Sequence, residues 1–225
     1  MSDPIFPDLI GKSVFITGGG SGIGAALTEA FLRQGAKVAF VQRSDGADFC
    51  DKMHEETGAR PLYLRCDITD TEALQAAMAG ARAANGPIQI LVNNAANDQR
   101  HTVADVTQTF WDEAIAINLK CYFFATQAAL ADMIALGGGS IINFSSISYM
   151  MGAAGYSVYI AANSGINGMT RSHAREFGPH NIRVNALAPG WVLTEKQKER
   201  WVTPEALVAH IERQCLKEAL APEDI

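Results

Sequence analysis

The sequence predicts a single doubly wound α/β domain with a parallel sheet covered on both faces. Three features carry that expectation. Short apolar runs alternate with segments of helical spacing along the chain. The runs are continuous rather than polar on every second residue, as expected for strands buried on both sides. A glycine-rich turn joins the first run to the first helical segment, and no composition shift, repeat or low-complexity tract marks a linker.

Each element has a local reason. Ser13–Thr17 reads as a strand. Gly22–Gln34 places Ile23, Leu27, Ala30 and Phe31 on one helical face, and Gly35 is suited to end it. Lys37–Val41 is a second strand, Asp48–Thr57 a helix and Pro61–Cys66 a third strand. Thr69 and Glu72 have the spacing of a capping box for a helix to about Ala84. Ile88–Val92 is a strand, and Phe110 to Leu136 is helical in one or two segments. Ser140–Ser145, Tyr156–Phe177 and Ile182–Leu187 read as strand, helix and strand. Thr203-Pro204-Glu205 supplies an N-cap, a first-turn proline and an acidic first turn for a last helix.

The chain has 225 residues, 48% of them hydrophobic and 19% charged, with 20 Gly and 8 Pro. That suffices for a core and excludes disordered, collagenous and disulfide-scaffold classes. The net charge of −6 gives no general attraction for nucleic acid. No uninterrupted apolar run reaches the ~18–20 residues of a membrane span, so no membrane partner is expected. Met1 to Gly11 lacks the basic flank and apolar stretch of a signal peptide. Cys50, Cys66, Cys121 and Cys215 lie far apart with no CxxC pair, which suits a reduced, cytoplasmic chain. No His, Cys or Asp cluster has zinc-ligand spacing, so no metal is expected.

Doubly wound sheets bind ligands beyond the carboxyl ends of their strands. The first strand ends in Thr17-Gly18-Gly19-Gly20-Ser21-Gly22-Ile23-Gly24. Glycines there permit a tight turn and close approach of a diphosphate to the helix N-terminus. A plain glycine-rich turn would look the same in isolation, but its place between a strand and a helix favours the dinucleotide reading. The second strand ends in Gln42-Arg43, where an NAD site usually has an acidic residue. Gln42 can bond a ribose and Arg43 can face a 2′-phosphate, so NADP is the first choice and NAD the alternative. Asp67 is a candidate partner for the adenine amino group, or a cap for the following helix.

Further motifs stand at later strand ends: Asn93-Asn94-Ala95-Ala96, Ser146, Tyr159 thirteen residues beyond it, and Pro189-Gly190. With the glycine turn, these resemble the short-chain dehydrogenase/reductase family from about Gly11 to Ile225, and imply a Rossmann-type domain. The resemblance implies that Tyr159 is the general acid/base, that Ser146 bonds the reacting oxygen, and that Asn118 holds a water in the proton relay. It implies that Asn93 supports the sheet and lines the cofactor cleft, and that Gly190, Val192 and Thr194 border the nicotinamide. Ile68, Ala95 and Pro189 fall at the same cofactor-facing strand ends. Each residue alone has a plainer role as a strand-end hydrogen bonder or half-buried aromatic.

Two features depart from the family pattern. Tyr-x-x-x-Lys reads Tyr159-Ile160-Ala161-Ala162-Asn163. Four-residue spacing puts both positions on one helix face, so a neutral Asn163 replaces the cation that lowers the tyrosine pKa. Binding competence with reduced turnover, and an optimum at higher pH, are expected. The family also continues past a segment like Leu220–Ile225 with another helix and a seventh strand. The C-terminal strand is therefore expected to be missing, and a homo-oligomer (dimer or tetramer) is expected only with a complete C-terminus.

Asn97-Asp98-Gln99-Arg100-His101 is rich in hydrogen-bonding groups and follows the fourth strand. The segments NNAANDQRHTVADVT and SIINFSSISYMMG are similar to bacterial sugar dehydrogenases of the family that oxidise aldoses such as xylose or arabinose to lactones. The resemblance implies a sugar or polyol substrate, with Asn97, Ser148 and Tyr149 as candidate contacts. A reductase of another ketone or 3-oxoacyl substrate, and a dinucleotide-binding pseudoenzyme, are the alternatives. Glu195–Trp201 is either a flap over the site or an exposed helix.

Overall fold

The computed structural model describes residues 4–225. Its strands are β1 (Ser13–Thr17), β2 (Lys37–Gln42), β3 (Leu62–Arg65), β4 (Ile90–Asn93), β5 (Gly139–Phe144) and β6 (Ile182–Leu187). They form one parallel sheet in the order β3-β2-β1-β4-β5-β6. The first half winds outward from β1 and the second outward from β4. The two central strands therefore diverge at their carboxyl ends and leave a crevice there.

Helices cover both faces because successive strand side chains point to opposite sides. Phe15, Leu91 and Ile141 pack toward α3 (Thr71–Asn85), α5 (Cys121–Ala135) and α7 (Ser157–Phe177). Val14, Ile16, Phe40 and Val92 pack toward α1 (Gly22–Arg33) and α2 (Ala47–Thr57). Phe15, Phe40, Leu91 and Ile141 are wholly buried. Each such side chain contributes about 1.5–3 kcal/mol relative to exposure. The remaining helices are α4 (Gln108–Ile115), the short α6 (Ser148–Met151), α8 (Glu195–Arg200) and α9 (Pro204–Arg213).

Three details differ from the sequence expectation. Asp70, not Thr69, caps α3, accepting from Ala73 N at 3.0 Å. Asp67 competes for Thr69: it accepts from Thr69 N at 3.0 Å and Thr69 Oγ at 2.8 Å. Secondly, the helical stretch after Phe110 is continuous from Gln108 to Ala135 but contains a π turn at Ala116–Lys120. Asn118 explains it, since its side chain donates to Ala114 O at 2.9 Å and displaces the regular ladder. Thirdly, this 28-residue stretch is by length and composition long and apolar enough to cross a membrane. It is used here as a core helix: Tyr122, Ala125, Ala129 and Met133 of α5 lie wholly buried in the sheet core.

The buried carboxylate of Asp132 ties α5 to the start of β4. It accepts from Arg82 Nε at 2.7 Å and from the buried Ile88 N at 2.9 Å. Arg82 also donates to Ala128 O at 3.1 Å, so α3, α5 and β4 meet at one point. Asp132→Ala leaves the Ile88 N–H buried without an acceptor, at a cost of about 1–3 kcal/mol. For a chain of this size thermal melting should fall by about 2–4 °C for each kcal/mol lost. A melting temperature equal to wild type would contradict this clamp.

Candidate active site

The crevice is built on the turn after β1. Gly18 N donates to Val41 O at 2.7 Å, which turns the chain sharply at the strand end. Gly18 has φ +69° and Gly22 has φ +52°, in the left-handed region that favours glycine. A Cβ on Gly24 would sit 1.9 Å from Gly18 O, so α1 can approach the turn only through glycine. Thr28 Oγ donates to Gly19 O at 2.7 Å and holds the outer carbonyl away from the cleft. Ser21 precedes α1 without a side-chain cap. The first-turn N–H groups therefore remain donors toward the cleft, the arrangement that suits a diphosphate.

Thr17 and Asn94 lock the two central strands together at this level. Thr17 Oγ accepts from Asn94 N at 2.9 Å and Ala95 N at 3.1 Å. Asn94 Nδ2 donates back to Thr17 O at 3.0 Å. Beneath it, Asn93 is fully buried. Its Nδ2 donates to Asn143 Oδ1 at 2.9 Å, and Asn143 donates to Thr170 Oγ at 3.0 Å. Asn93 thus sits in a polar chain across β4, β5 and α7 and does not line the cleft.

At the end of β2, Gln42 lies against the glycine turn and donates to Asp45 O at 3.1 Å. Arg43 extends into solvent with its side chain 70% exposed, and its guanidinium is 3.8 Å from Asp67. Burial pushes the Asp67 carboxyl up. The two hydrogen bonds from Thr69, with Arg43, outweigh that and hold it below the usual carboxylate range.

Tyr159 projects from α7 and Ser146 from the segment after β5, and both side chains line the same cleft, near enough for Ser146 to act on the phenol. Burial raises the Tyr159 pKa above 10, and the Asp98 charge raises it further. Hydrogen bonds from Asn163 and Ser146 act in the opposite direction without cancelling this. Asn163 is buried, and its Nδ2 also donates to Tyr159 O at 2.8 Å. Asn167 Nδ2 donates to Asn163 O at 2.8 Å and to Ser145 Oγ at 2.7 Å, which holds this helical turn in place. Asn118 accepts from Asn97 N at 2.8 Å and donates to Asn97 O at 3.0 Å. Both amide hydrogens of Asn118 are thereby committed to Asn97 and Ala114.

These parts surround one cleft of about 1360 Å³. Gly18, Ser21, Gly22, Ile23, Gly24, Gln42, Arg43, Asp67, Ile68, Ala95, Pro189, Gly190, Val192 and Thr194 all line it. Ser146, Ser148 and Tyr159 line it as well. Asn97 and Tyr149 do not. Asn97 is tied to Asn118 through its own backbone N–H and C=O.

The polar loop Asn97–His101 and the segment Glu195–Trp201, both expected near the site, meet in the wall opposite the turn. Asp98 Oδ2 accepts from Gln197 Nε2 at 2.9 Å, and Gln197 Oε1 accepts from Trp191 Nε1 at 2.9 Å. Arg100 lies 3.8 Å above the Tyr156 ring, which stacks on Tyr159 with centroids 5.7 Å apart. All of these residues line the cleft. Gln197 and Tyr156 carried no motif, since each acquires its place only through partners distant in sequence.

A crevice at the β1/β4 divergence, a glycine turn shaped for a diphosphate, and a tyrosine–serine pair beside it define a nucleotide-dependent oxidoreductase. The family model described as short chain dehydrogenase matches residues 12–205, and the chain belongs to that family. It is therefore an NAD(P)-dependent short-chain dehydrogenase. A protein of Rhizobium meliloti (strain 1021) named probable galactose dehydrogenase is 46% identical over 98% of this chain and 87% of its own length. The D-xylose 1-dehydrogenase of Caulobacter vibrioides (strain NA1000 / CB15N) is 47% identical over 100% of this chain and 89% of its own length. A crystal structure from Sinorhizobium meliloti 1021, described as a candidate short-chain alcohol dehydrogenase, superposes with a TM-score of 0.92 at 33% identity. It covers 99% of this chain and 88% of that one.

The cofactor turn has a direct test. Gly24→Ala puts a methyl group into the Gly18 carbonyl and must push α1 away from the turn. Affinity for NADH or NADPH, read by quenching of tryptophan fluorescence, should fall about 100-fold, equivalent to ~2.7 kcal/mol. Wild-type affinity in this variant would show that the turn does not hold the diphosphate.

Proposed function

We propose that this chain transfers hydride between NAD(P) and a hydroxyl or carbonyl of a sugar or polyol, with an aldose as first choice. The observation that carries this reading is that Tyr159 and Ser146 line the same cleft as the glycine turn, together with the polar and charged side chains Asp98, Arg100 and Gln197. The names of the two relatives above, a xylose and a galactose dehydrogenase, support the substrate class. Bound NAD(P) would supply the hydride acceptor or donor, with the glycine turn holding its diphosphate.

In the oxidative direction Ser146 orients the substrate oxygen, and ionised Tyr159 takes its proton. Asn163 positions Tyr159 but brings no positive charge. A cation at that distance lowers a neighbouring acid by one or more pKa units, each worth about 1.4 kcal/mol. Turnover is accordingly slow at neutral pH and rises as pH increases through the alkaline range, because the ionised phenol is the base.

NADP is the preferred cofactor in this reading. Gln42 leaves no negative charge beside the ribose, and the exposed Arg43 guanidinium is available to a 2′-phosphate. The alternative of a dinucleotide-binding pseudoenzyme rests on Asn163. An assembly of like chains is supported by the exposed Trp111 and Phe123 on the α4–α5 face.

A panel of aldoses and simple secondary alcohols, assayed by cofactor reduction across pH, tests the substrate class. No reduction with any aldose at any pH would reject it. Asn163→Lys should raise kcat about tenfold or more and move the rising limb of the pH profile to lower pH, consistent with ~1.4 kcal/mol per unit. An unchanged profile with cofactor affinity retained would remove Asn163 from the account. Arg43→Ala should weaken NADPH about tenfold while leaving NADH within about twofold, a difference near 1.4 kcal/mol. Equal effects on both would assign the cofactor preference elsewhere.

A further inference from the structure

We infer that Asp98 is the residue that selects a polyhydroxylated substrate, by accepting hydrogen bonds from hydroxyls flanking the reacting carbon. The inference rests on the sugar reading above and specifies which side chain enforces it.

The carboxylate is placed in the cleft and not fully used. An ionised carboxylate offers about four acceptor positions. Among the described residues Asp98 receives one direct hydrogen bond, from Gln197 at 2.9 Å. Arg100 and Lys196 approach at 3.9 and 4.0 Å, close enough to favour its charge but beyond hydrogen-bond length. Its side chain is only 19% exposed, so bulk water has limited access to the remaining positions. A partly buried carboxylate with one donor gains from further donors, and a substrate that carries hydroxyls supplies them. A substrate that lacks them leaves those positions unpaired and is disfavoured.

The surroundings have the same character. Ser148 Oγ, Trp201 Nε1 and His210 Nε2 are buried polar atoms without a hydrogen-bond partner among the described residues, and all three residues line this cleft. Arg100 is held between Tyr156 and Trp201, at 3.8 and 5.2 Å from their ring centres, which fixes it beside Asp98. Aromatic faces with polar atoms at their edges suit a ring that is apolar on its faces and hydroxylated at its rim. An acidic substrate suits the wall less well. Asp98 would repel it, and the adjacent cations already face Asp98.

Asp98 also acts on Tyr159 through space, since its charge disfavours ionisation of the phenol. The charged and titratable groups facing this pair are Arg100 from the same loop, Tyr156 just before α7, Tyr122 from α5 and Lys196 from α8. Hydroxyls bound to Asp98 spread its charge, so a polyol would assist proton removal as well as bind.

The experiment uses the full chain with its cofactor, D-xylose, and deoxy-xyloses that each lack one hydroxyl. In wild type, removing a hydroxyl read by Asp98 should cost about 100-fold or more in kcat/KM. Asp98→Asn should lose a comparable factor with D-xylose, mainly through KM, and then be insensitive to that hydroxyl within about threefold. Its pH profile should move to lower pH, and NADPH affinity should stay within about twofold of wild type. Full retention of the deoxy penalty in Asp98→Asn overturns the inference. So does a loss confined to cofactor affinity, which would make Asp98 only a latch for α8. Asp98→Glu serves if the asparagine variant does not fold. It keeps the charge but displaces the oxygens, and should change which deoxy-xylose is penalised most; an unchanged ranking overturns the inference. If wild type oxidises aldoses while Asp98→Asn behaves as wild type, only the role of Asp98 fails. If wild type oxidises no aldose, the sugar reading fails and this inference with it.

Discussion

The site depends on the lock between Thr17 and Asn94. β1 and β4 are neighbours whose connections run to opposite sides, so their carboxyl ends must be held together without a covering loop. The Thr17 hydroxyl accepts two backbone N–H groups from the β4 end, and the Asn94 amide returns a bond to Thr17 O. These bonds replace the ladder at the point where it stops. They also set the height of Gly18 relative to Ala95, and hence the floor on which a dinucleotide lies. Everything on the cofactor side, from the Gly24 contact to the Thr28 bond, assumes that floor.

The reacting side is governed by electrostatics rather than by reach. Tyr159 and Ser146 line one cleft, so both can reach the same substrate oxygen. Burial and Asp98 both oppose ionisation of the phenol, and only neutral hydrogen bonds oppose them in turn. In a partly dry cleft a single unit charge outweighs such bonds. In the reading proposed above, the absence of a cation at position 163 bears on ionisation of the phenol and not on the shape of the site. Asn163 keeps the shape, because its amide holds the Tyr159 carbonyl and its own carbonyl accepts Asn167.

Much of the fold was legible because it is written in local periodicity. β1 and β6 have the bounds expected of their apolar runs, and most helices begin within two residues of their signals. Thr203 does cap α9, accepting from Ala206 N at 3.2 Å. What the sequence hid was competition. Thr69 fits a capping box, but Asp67 takes its hydroxyl first. The Asn118 amide shapes a π turn and holds Asn97, a use that no motif signals. The cofactor side was legible in the same way as the fold, since a glycine turn is a contiguous motif. The polar loop at Asp98 was legible too, but its pairing with Gln197 was not, because the two lie 99 positions apart and meet only after β4, β6 and α8 are in place.

That wall bears on how slow chemistry could still be selective. An enzyme gains rate only from interactions stronger in the transition state than in the ground state. In the reading proposed above, a base at position 159 with no cation beside it supplies little of that difference. The carboxylate of Asp98 can supply part of it if substrate hydroxyls bind there. Its charge is then shared with donors just as the neighbouring phenol must lose its proton. A simple alcohol gains nothing of the kind, because it faces an unscreened Asp98 and a more weakly acidic tyrosine. The substitution at 163 would then cost a polyol less than it costs an unadorned alcohol. Selectivity would rise as absolute rate falls, a coupling that follows from the position of one charge rather than from the shape of the pocket.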